Sequence, residues 1–149
     1  TGEEIAAGVA DYAPVGSRMH IIRMAGERLV IDDCYNANPQ SMAEGIRMLS
    51  TSRQRSRLAV LGDMGELGEL TAQAHRDMGA LTRQLSVTTV AVGEKMRSLT
   101  ETNPNALWFP TVEAAMPAIR ELFTPGTAVL VKASRAMHFE TIVKELEKQ

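Results

Sequence analysis

At 149 residues the chain is sized for one domain with a core large enough to fold alone. Its 44% hydrophobic and 23% charged residues are those of an ordinary globular domain, not of a disordered or fibrous chain. A formal net charge of −2 leaves no basic footprint for nucleic acid, and no stretch approaches the roughly 20 apolar residues of a membrane span.

The opening Thr1-Gly2-Glu3-Glu4 has no start methionine and no signal-peptide pattern, which suggests a piece cut from a longer protein. Thr1 and Glu4 have capping-box spacing, and the periodicity predicts a short helix over residues 2–11. Pro14 and Gly16 mark a boundary, so residues 1–13 read as the end of a preceding domain or a linker helix and 14–149 as one body. Residues 20–24 and 28–32 read as a hairpin joined across Ala25-Gly26-Glu27. After Pro39, Met42, Ile46 and Leu49 recur at helical spacing. The run Leu58-Ala59-Val60-Leu61 suits a strand buried on both faces. A glycine-punctuated loop, 62–68, follows, and 71–85 reads as a helix. Residues 87–92 predict another buried strand, 94–100 a short helix and 107–109 a brief strand. Thr111 caps a helix carrying Ala115, Ile119 and Leu122. Residues 128–131 form a last buried strand, and a final helix runs from about Ala136 to Glu147.

Strand and helix in alternation after a hairpin predict an α/β fold with a mostly parallel sheet and helices on both faces. Parallel sheets place small-molecule sites at the carboxyl ends of their strands. Three polar clusters fall there: 32–38, 62–68 and 132–135. The first, Asp32-Asp33-Cys34-Tyr35-Asn36-Ala37-Asn38, is the most informative segment of the chain. Carboxylates accept from ribose hydroxyls, carboxamides pair with a base edge, and an aromatic ring stacks. The segment therefore points to a nucleotide or another polar ligand.

Each residue also has a plainer explanation. Asn38 before Pro39 is a good helix cap, and Pro suits the first helical turn. Tyr35 reads as partly packed. Asp63 and Glu66 are two carboxylates with no Cys or His at ligand spacing, a weak metal signal, so no metal site is assigned. His75 lies inside a helix and reads as structural. Cys34 has no partner His for a nucleophile's role and, being alone, no internal disulfide, which favours a reducing cytoplasm. Lys132, Ser134 and Arg135 supply two cations and a hydroxyl for an anion. The sequence has no Gly-x-x-x-x-Gly-Lys-Ser/Thr loop and no Gly-x-Gly-x-x-Gly fingerprint.

These segments resemble the carboxy-terminal domain of the Mur ligases. Asp32-Asp33-Cys34-Tyr35-Asn36-Ala37-Asn38-Pro39 with Ser41-Met42 is similar to the hallmark of the dipeptide-adding branch, with Cys34 where Ser is usual. Gly62-Asp63-Met64-Gly65-Glu66-Leu67-Gly68 resembles its second signature, and His75 and Gly79 fall where the family has a His and a Gly. Val131-Lys132-Ala133-Ser134-Arg135 resembles the third, with Ala133 in place of a usual Gly. Pro14-Val15-Gly16-Ser17-Arg18 is like the family's Gly-Arg segment.

The resemblance implies a Rossmann-like, mostly parallel sheet with one antiparallel strand. It implies an ATP-dependent amide ligase that phosphorylates the carboxylate of UDP-N-acetylmuramoyl-tripeptide. D-Ala-D-Ala then attacks the acyl phosphate, in peptidoglycan precursor synthesis in the cytoplasm. ATP and Mg2+ would be held mainly by a central domain that is absent here. By position, Arg18 would approach the ATP phosphates and Asp33 would accept from the ribose hydroxyls. Asn36 and Asn38 would line the adenine, and Lys132, Ser134 and Arg135 would face the dipeptide. Arg18 and Lys132 are thus the expected catalytic residues. The alternative, from another class, is a free-standing binding or regulatory module of the flavodoxin or receiver kind.

With no phosphate-cradling loop, the 149-residue chain by itself is expected to form no amide bond from ATP and to bind ATP weakly. Titration calorimetry showing low-micromolar or tighter ATP binding by this chain would refute the expectation.

Overall fold

The computed structural model describes residues 19–149. The helix expected over 2–11, the boundary near Pro14 and the expected catalytic Arg18 lie outside the described residues.

Among the described residues the strands are β1 (His20–Met24), β2 (Arg28–Asp33), β3 (Ser56–Gly62), β4 (Thr88–Val92), β5 (Leu107–Phe109) and β6 (Thr127–Lys132). The helices are α1 (Pro39–Ser50), α2 (Thr71–Gln84), α3 (Leu99–Thr102), α4 (Val112–Leu122) and α5 (Glu140–Glu147), with 3₁₀ turns at Gly68–Leu70, Lys95–Ser98 and Arg135–Met137. The strands form one sheet in the order β1-β2-β6-β3-β4-β5. β1 pairs antiparallel with β2, and every other pair is parallel.

Side-chain alternation explains why these strands read as unbroken apolar runs. Leu29, Ile31, Ala59, Leu61, Ala91 and Leu130 join one core cluster with Met42 and Ile46 of α1 and Met78 of α2. Val30, Val60, Val90, Val129 and Val131 join the other, with Ile119 of α4 and Ile142 of α5. In β2, β3, β4 and β6 both faces are covered, so polar residues are confined to the strand ends, whereas edge strand β1 carries the exposed Arg23.

Two helices differ from expectation. The helix expected over 94–100 is a 3₁₀ turn followed by the short α3. Met96 and Leu99 are both fully buried, and their i, i+3 spacing suits the three-residue turn of a 3₁₀ segment. The final helix begins at Glu140, not near Ala136, because His138 adopts a left-handed backbone (φ 54°). That reversal delivers Phe139, fully buried, onto the sheet above Gly62. A Cβ at Gly62 would lie 2.5 Å from the Phe139 ring and 2.6 Å from Ala133 Cβ. Gly62 is therefore what lets the methyl of Ala133 and the ring of Phe139 share one space.

Gly79 marks a second close approach. A Cβ there would run into Thr102 Oγ1 and the Leu99 carbonyl, where α3 crosses α2. In Gly79→Ala the helix propensity gain of about 1 kcal/mol opposes an overpacking loss of about 1–3 kcal/mol. The carbonyl is backbone and cannot swing aside, so the loss wins. Urea unfolding of Gly79→Ala against the parent chain is expected to show a net destabilisation of up to about 2 kcal/mol.

Candidate functional site

The parallel register brings the three polar clusters to one rim. Asp33 lies opposite Lys132, Leu61 opposite Lys132 on its other side, and Gly62 opposite Val92. The chain leaves β2, β6, β3 and β4 at the same edge, and each exit becomes a loop.

The loop after β2 is held by its own amides. Asn38 caps α1: its Oδ1 accepts from Ser41 N at 2.8 Å while Ser41 Oγ accepts from Asn38 N at 3.2 Å. Asn36 Oδ1 accepts from Ala37 N at 2.9 Å. Both residues are exposed. With the carbonyl ends committed locally, each side chain keeps an NH2 group to offer outward.

Asp32 and Asp33 do not work as a pair. Adjacent strand residues point to opposite faces. Asp33 lies on the α1 side, buried, and its Oδ2 accepts from Lys132 Nζ at 2.7 Å. Asp32 lies on the other side, against Cys34. The same Lys132 ammonium donates to the Asn36 carbonyl at 3.0 Å. Lys132 is only 2% exposed, so this expected substrate contact sits inside the rim, beneath the loop.

Ser134 and Arg135 are placed differently. Ser134 N donates to the Asp63 carbonyl at 3.0 Å, and Arg135 is exposed with its guanidinium 5.0 Å from the centre of the Tyr35 ring. Cys34, Tyr35, Arg135, His138 and Glu140 line a cleft of about 340 Å³. Tyr35 is 45% exposed, in keeping with its reading as partly packed, and its ring faces the cleft. Glu140 escaped sequence reading because the helix was expected to begin before it. The left-handed turn at His138 makes Glu140 a first-turn residue facing the cleft.

Asp63 and His75 shape the loops from within. Asp63 Oδ1 accepts from Met96 N at 2.9 Å, tying the β3 loop to the turn after β4. Gly93 (φ 113°) brings that turn so close that a Cβ would collide with the Asp63 carboxylate. Trp108 Nε1 donates to the Gly93 carbonyl at 2.7 Å. His75 is fully buried; its Nε2 accepts from Met64 N at 3.0 Å, and Nδ1 lies 2.6 Å from the Thr71 carbonyl. The Met64 bond leaves Nδ1 as the protonated nitrogen. Among the described residues no cluster of three or more His, Cys, Asp or Glu could hold a metal ion. No helix among them is long and apolar enough to cross a membrane.

Burial is the main cause that pushes the Cys34 thiol well above its ordinary range, with the Asp32 hydrogen bond next. Its Sγ lies 3.5 Å from the Val131 carbonyl, turned into the sheet.

This arrangement defines a class: a Rossmann-like α/β domain whose strand-end loops form an open polar rim without a phosphate loop. Residues 17–135 match the family described as Mur ligase, glutamate ligase domain. The chain belongs to that family. A flavodoxin- or receiver-like module is thereby set aside. The chain is 35% identical over 159 residues to the UDP-N-acetylmuramoyl-tripeptide–D-alanyl-D-alanine ligase of Mycobacterium leprae, covering 91% of this chain and 31% of that protein. It is 29% identical over 152 residues to the enzyme of the same name from Bacillus subtilis, covering 97% and 33%. A crystal structure of MurF from Acinetobacter baumannii superposes with a TM-score of 0.84 at 32% identity, covering 99% of this chain and 33% of that one. MurF ligase from Thermotoga maritima, in complex with ADP, superposes with a TM-score of 0.78 at 26% identity, covering 91% and 31%. The chain therefore spans about a third of the length of these relatives.

A thiol this buried and this far from ionising is a poor nucleophile. In the native chain Cys34 is expected to resist a maleimide reagent at pH 8 and to react promptly once unfolded in guanidinium. Mass spectrometry of the native sample showing rapid labelling would contradict the burial seen here.

Proposed function

We propose that this chain is the carboxy-terminal domain of an ATP-dependent ligase that joins D-Ala-D-Ala to UDP-N-acetylmuramoyl-tripeptide in peptidoglycan precursor synthesis, in the cytoplasm where ATP is supplied. One observation carries the reading: the strand-end loops that match the family converge on a single rim, with Lys132 Nζ bridging Asp33 and Asn36. The relatives with this name are about three times as long, which supports a partner domain supplying the other half of the cleft.

Within that reading the rim has two sides. The Asn36 and Asn38 amides offer NH2 donors to the ring nitrogens of adenine, and the Asp33 carboxylate approaches the ribose from below. Arg18, with its fixed cation, takes the ATP phosphates. On the opposite side, Arg135 and Ser134 meet the dipeptide, the guanidinium binding its terminal carboxylate in two parallel hydrogen bonds. ATP supplies the chemistry of activation, turning a carboxylate into an acyl phosphate with a good leaving group. This domain's residues orient the nucleotide and the amine, and closure of the rim excludes water while they react. The described residues do not fit magnesium, because Asp63 is engaged with Met96 N and no acid cluster surrounds it. Mg2+ is assigned to the remainder of the longer protein.

The full-length protein is expected to convert UDP-N-acetylmuramoyl-tripeptide, D-Ala-D-Ala and ATP to the pentapeptide product with release of ADP and phosphate. Removing the carboxylate anchor with Arg135→Ala should raise KM for D-Ala-D-Ala by about tenfold or more and leave KM for ATP within about twofold. A full-length protein that forms no amide from these substrates, by mass spectrometry of the products, would end the reading.

A further inference from the structure

We propose that Lys132 is a positioning residue for the nucleotide side of the rim, acting through Asp33 and the Asn36 carbonyl, and that it never touches the incoming dipeptide. The inference rests on the reading above, that this rim closes over ATP.

Four observations carry it. The ammonium has three donors, and two are engaged at 2.7 Å and 3.0 Å with groups of the β2 loop. The residue is 2% exposed, whereas Arg135, three positions on, is exposed. Its stem passes beside Gly45 of α1, where a Cβ would lie 3.7 Å from Lys132 Cδ. Finally, strand alternation separates it from the cleft. Lys132 shares its face with Ala128 and Leu130, which line the α1 and α2 core. The cleft holding Arg135 includes Cys34, which packs in the opposite core. Alternation thus turns the Lys132 side chain to the face opposite the core in which Cys34 packs.

The consequence is specific. Lys132 binds the first turn of the loop at one side chain and one carbonyl, while Asn38 anchors its far end as the α1 cap. The Asn36 and Asn38 amides are thereby held at fixed separation. Without the ammonium, the Asp33 carboxylate would lose the charged hydrogen bond that holds it at 2.7 Å from Lys132 Nζ and would be drawn toward water. The turn at Asn36 would move with it. Contacts to ribose and adenine would be lost, and contacts to the dipeptide would not.

The test uses the full-length ligase with Lys132→Met, which keeps length and packing but removes the charge, and Lys132→Arg, which keeps the charge but replaces the compact ammonium with a bulkier planar guanidinium. Folding is checked by circular dichroism, and Lys132→Arg stands in should Lys132→Met fail to fold. Lys132→Met is expected to raise KM for ATP about tenfold or more, with KM for D-Ala-D-Ala within about twofold. Lys132→Arg is expected to raise KM for ATP about threefold or more with the same selectivity. A rise in KM for the dipeptide, or a fall in kcat with both KM values unchanged, overturns the proposal, as does parental behaviour of both variants. A parent enzyme that makes no amide fails the underlying reading instead, and the two failures are told apart by assaying the parent first.

Discussion

The ion pair between Lys132 and Asp33 is the constraint on which the rim depends. Both side chains are almost wholly buried, 3% and 7% exposed, at 2.7 Å separation. Burying two charges is expensive, and their attraction repays the expense only when geometry is good and the remaining donors find acceptors. Here the Asn36 carbonyl supplies that further acceptor. Removing one partner of such a pair leaves an uncompensated charge, a loss of roughly 3–5 kcal/mol. An apolar pair of similar volume would stabilise the sheet as well or better. The charges thus make sense as a device for fixing a loop in one place, where an apolar pair would leave its carbonyls and amides free to shift.

The rest of the rim is fastened by hydrogen bonds rather than by ion pairs. Asp63 accepts from Met96 N, its carbonyl accepts from Ser134 N, Gly93 N donates to the Phe109 carbonyl, and Trp108 Nε1 donates to the Gly93 carbonyl. His75 holds the β3 loop from below through Met64 N. The loops after β3, β4 and β6 are therefore one hydrogen-bonded unit, and the loop after β2 is joined to β6 by the ion pair. A rim so fastened moves as a body. That suits a domain that closes onto another, because a rigid half-site loses little freedom when the cleft shuts.

How much of this was legible in the sequence depends on distance along the chain. The strands declared themselves because residues such as Val129, Leu130 and Val131 are buried on alternate faces, leaving uninterrupted apolar runs. Asn38 and Thr111 were legible as caps because their partners, Ser41 and Ala114, are three residues away. The pairing of Asp33 with Lys132 was not. They are 99 positions apart and meet only because β6 inserts between β2 and β3. A one-dimensional reading sees two acids side by side at 32 and 33 and groups them, whereas the pleat sends them to opposite faces. The late start of α5 was hidden too. Residues 136–147 have helical periodicity, and only the need to seat Phe139 over Gly62 forces the left-handed His138. Ala133 shows the same limit. It departs from a usual glycine, yet its methyl points into the core beside Gly62 and leaves the rim surface unchanged.

In the proposed reading, a division of labour between this chain and a partner domain follows from what the described rim offers. Binding a nucleotide triphosphate draws most of its energy from backbone N–H groups and cations around the phosphates. The described rim instead offers side-chain amides and one buried carboxylate, groups that match a base and a sugar. A neutral hydrogen bond exchanged with water contributes only about 0.5–1.5 kcal/mol. A few such bonds do not offset the 4–15 kcal/mol, approximately, that association costs in lost freedom. Once the phosphates are held elsewhere, that loss is already met, and the same few bonds act at high effective concentration. A half-site of this composition is then weak alone and selective in the closed cleft. In that proposed ligase its contribution would be largest in a closed state, where reaction would occur, and least in an open state, from which product would leave.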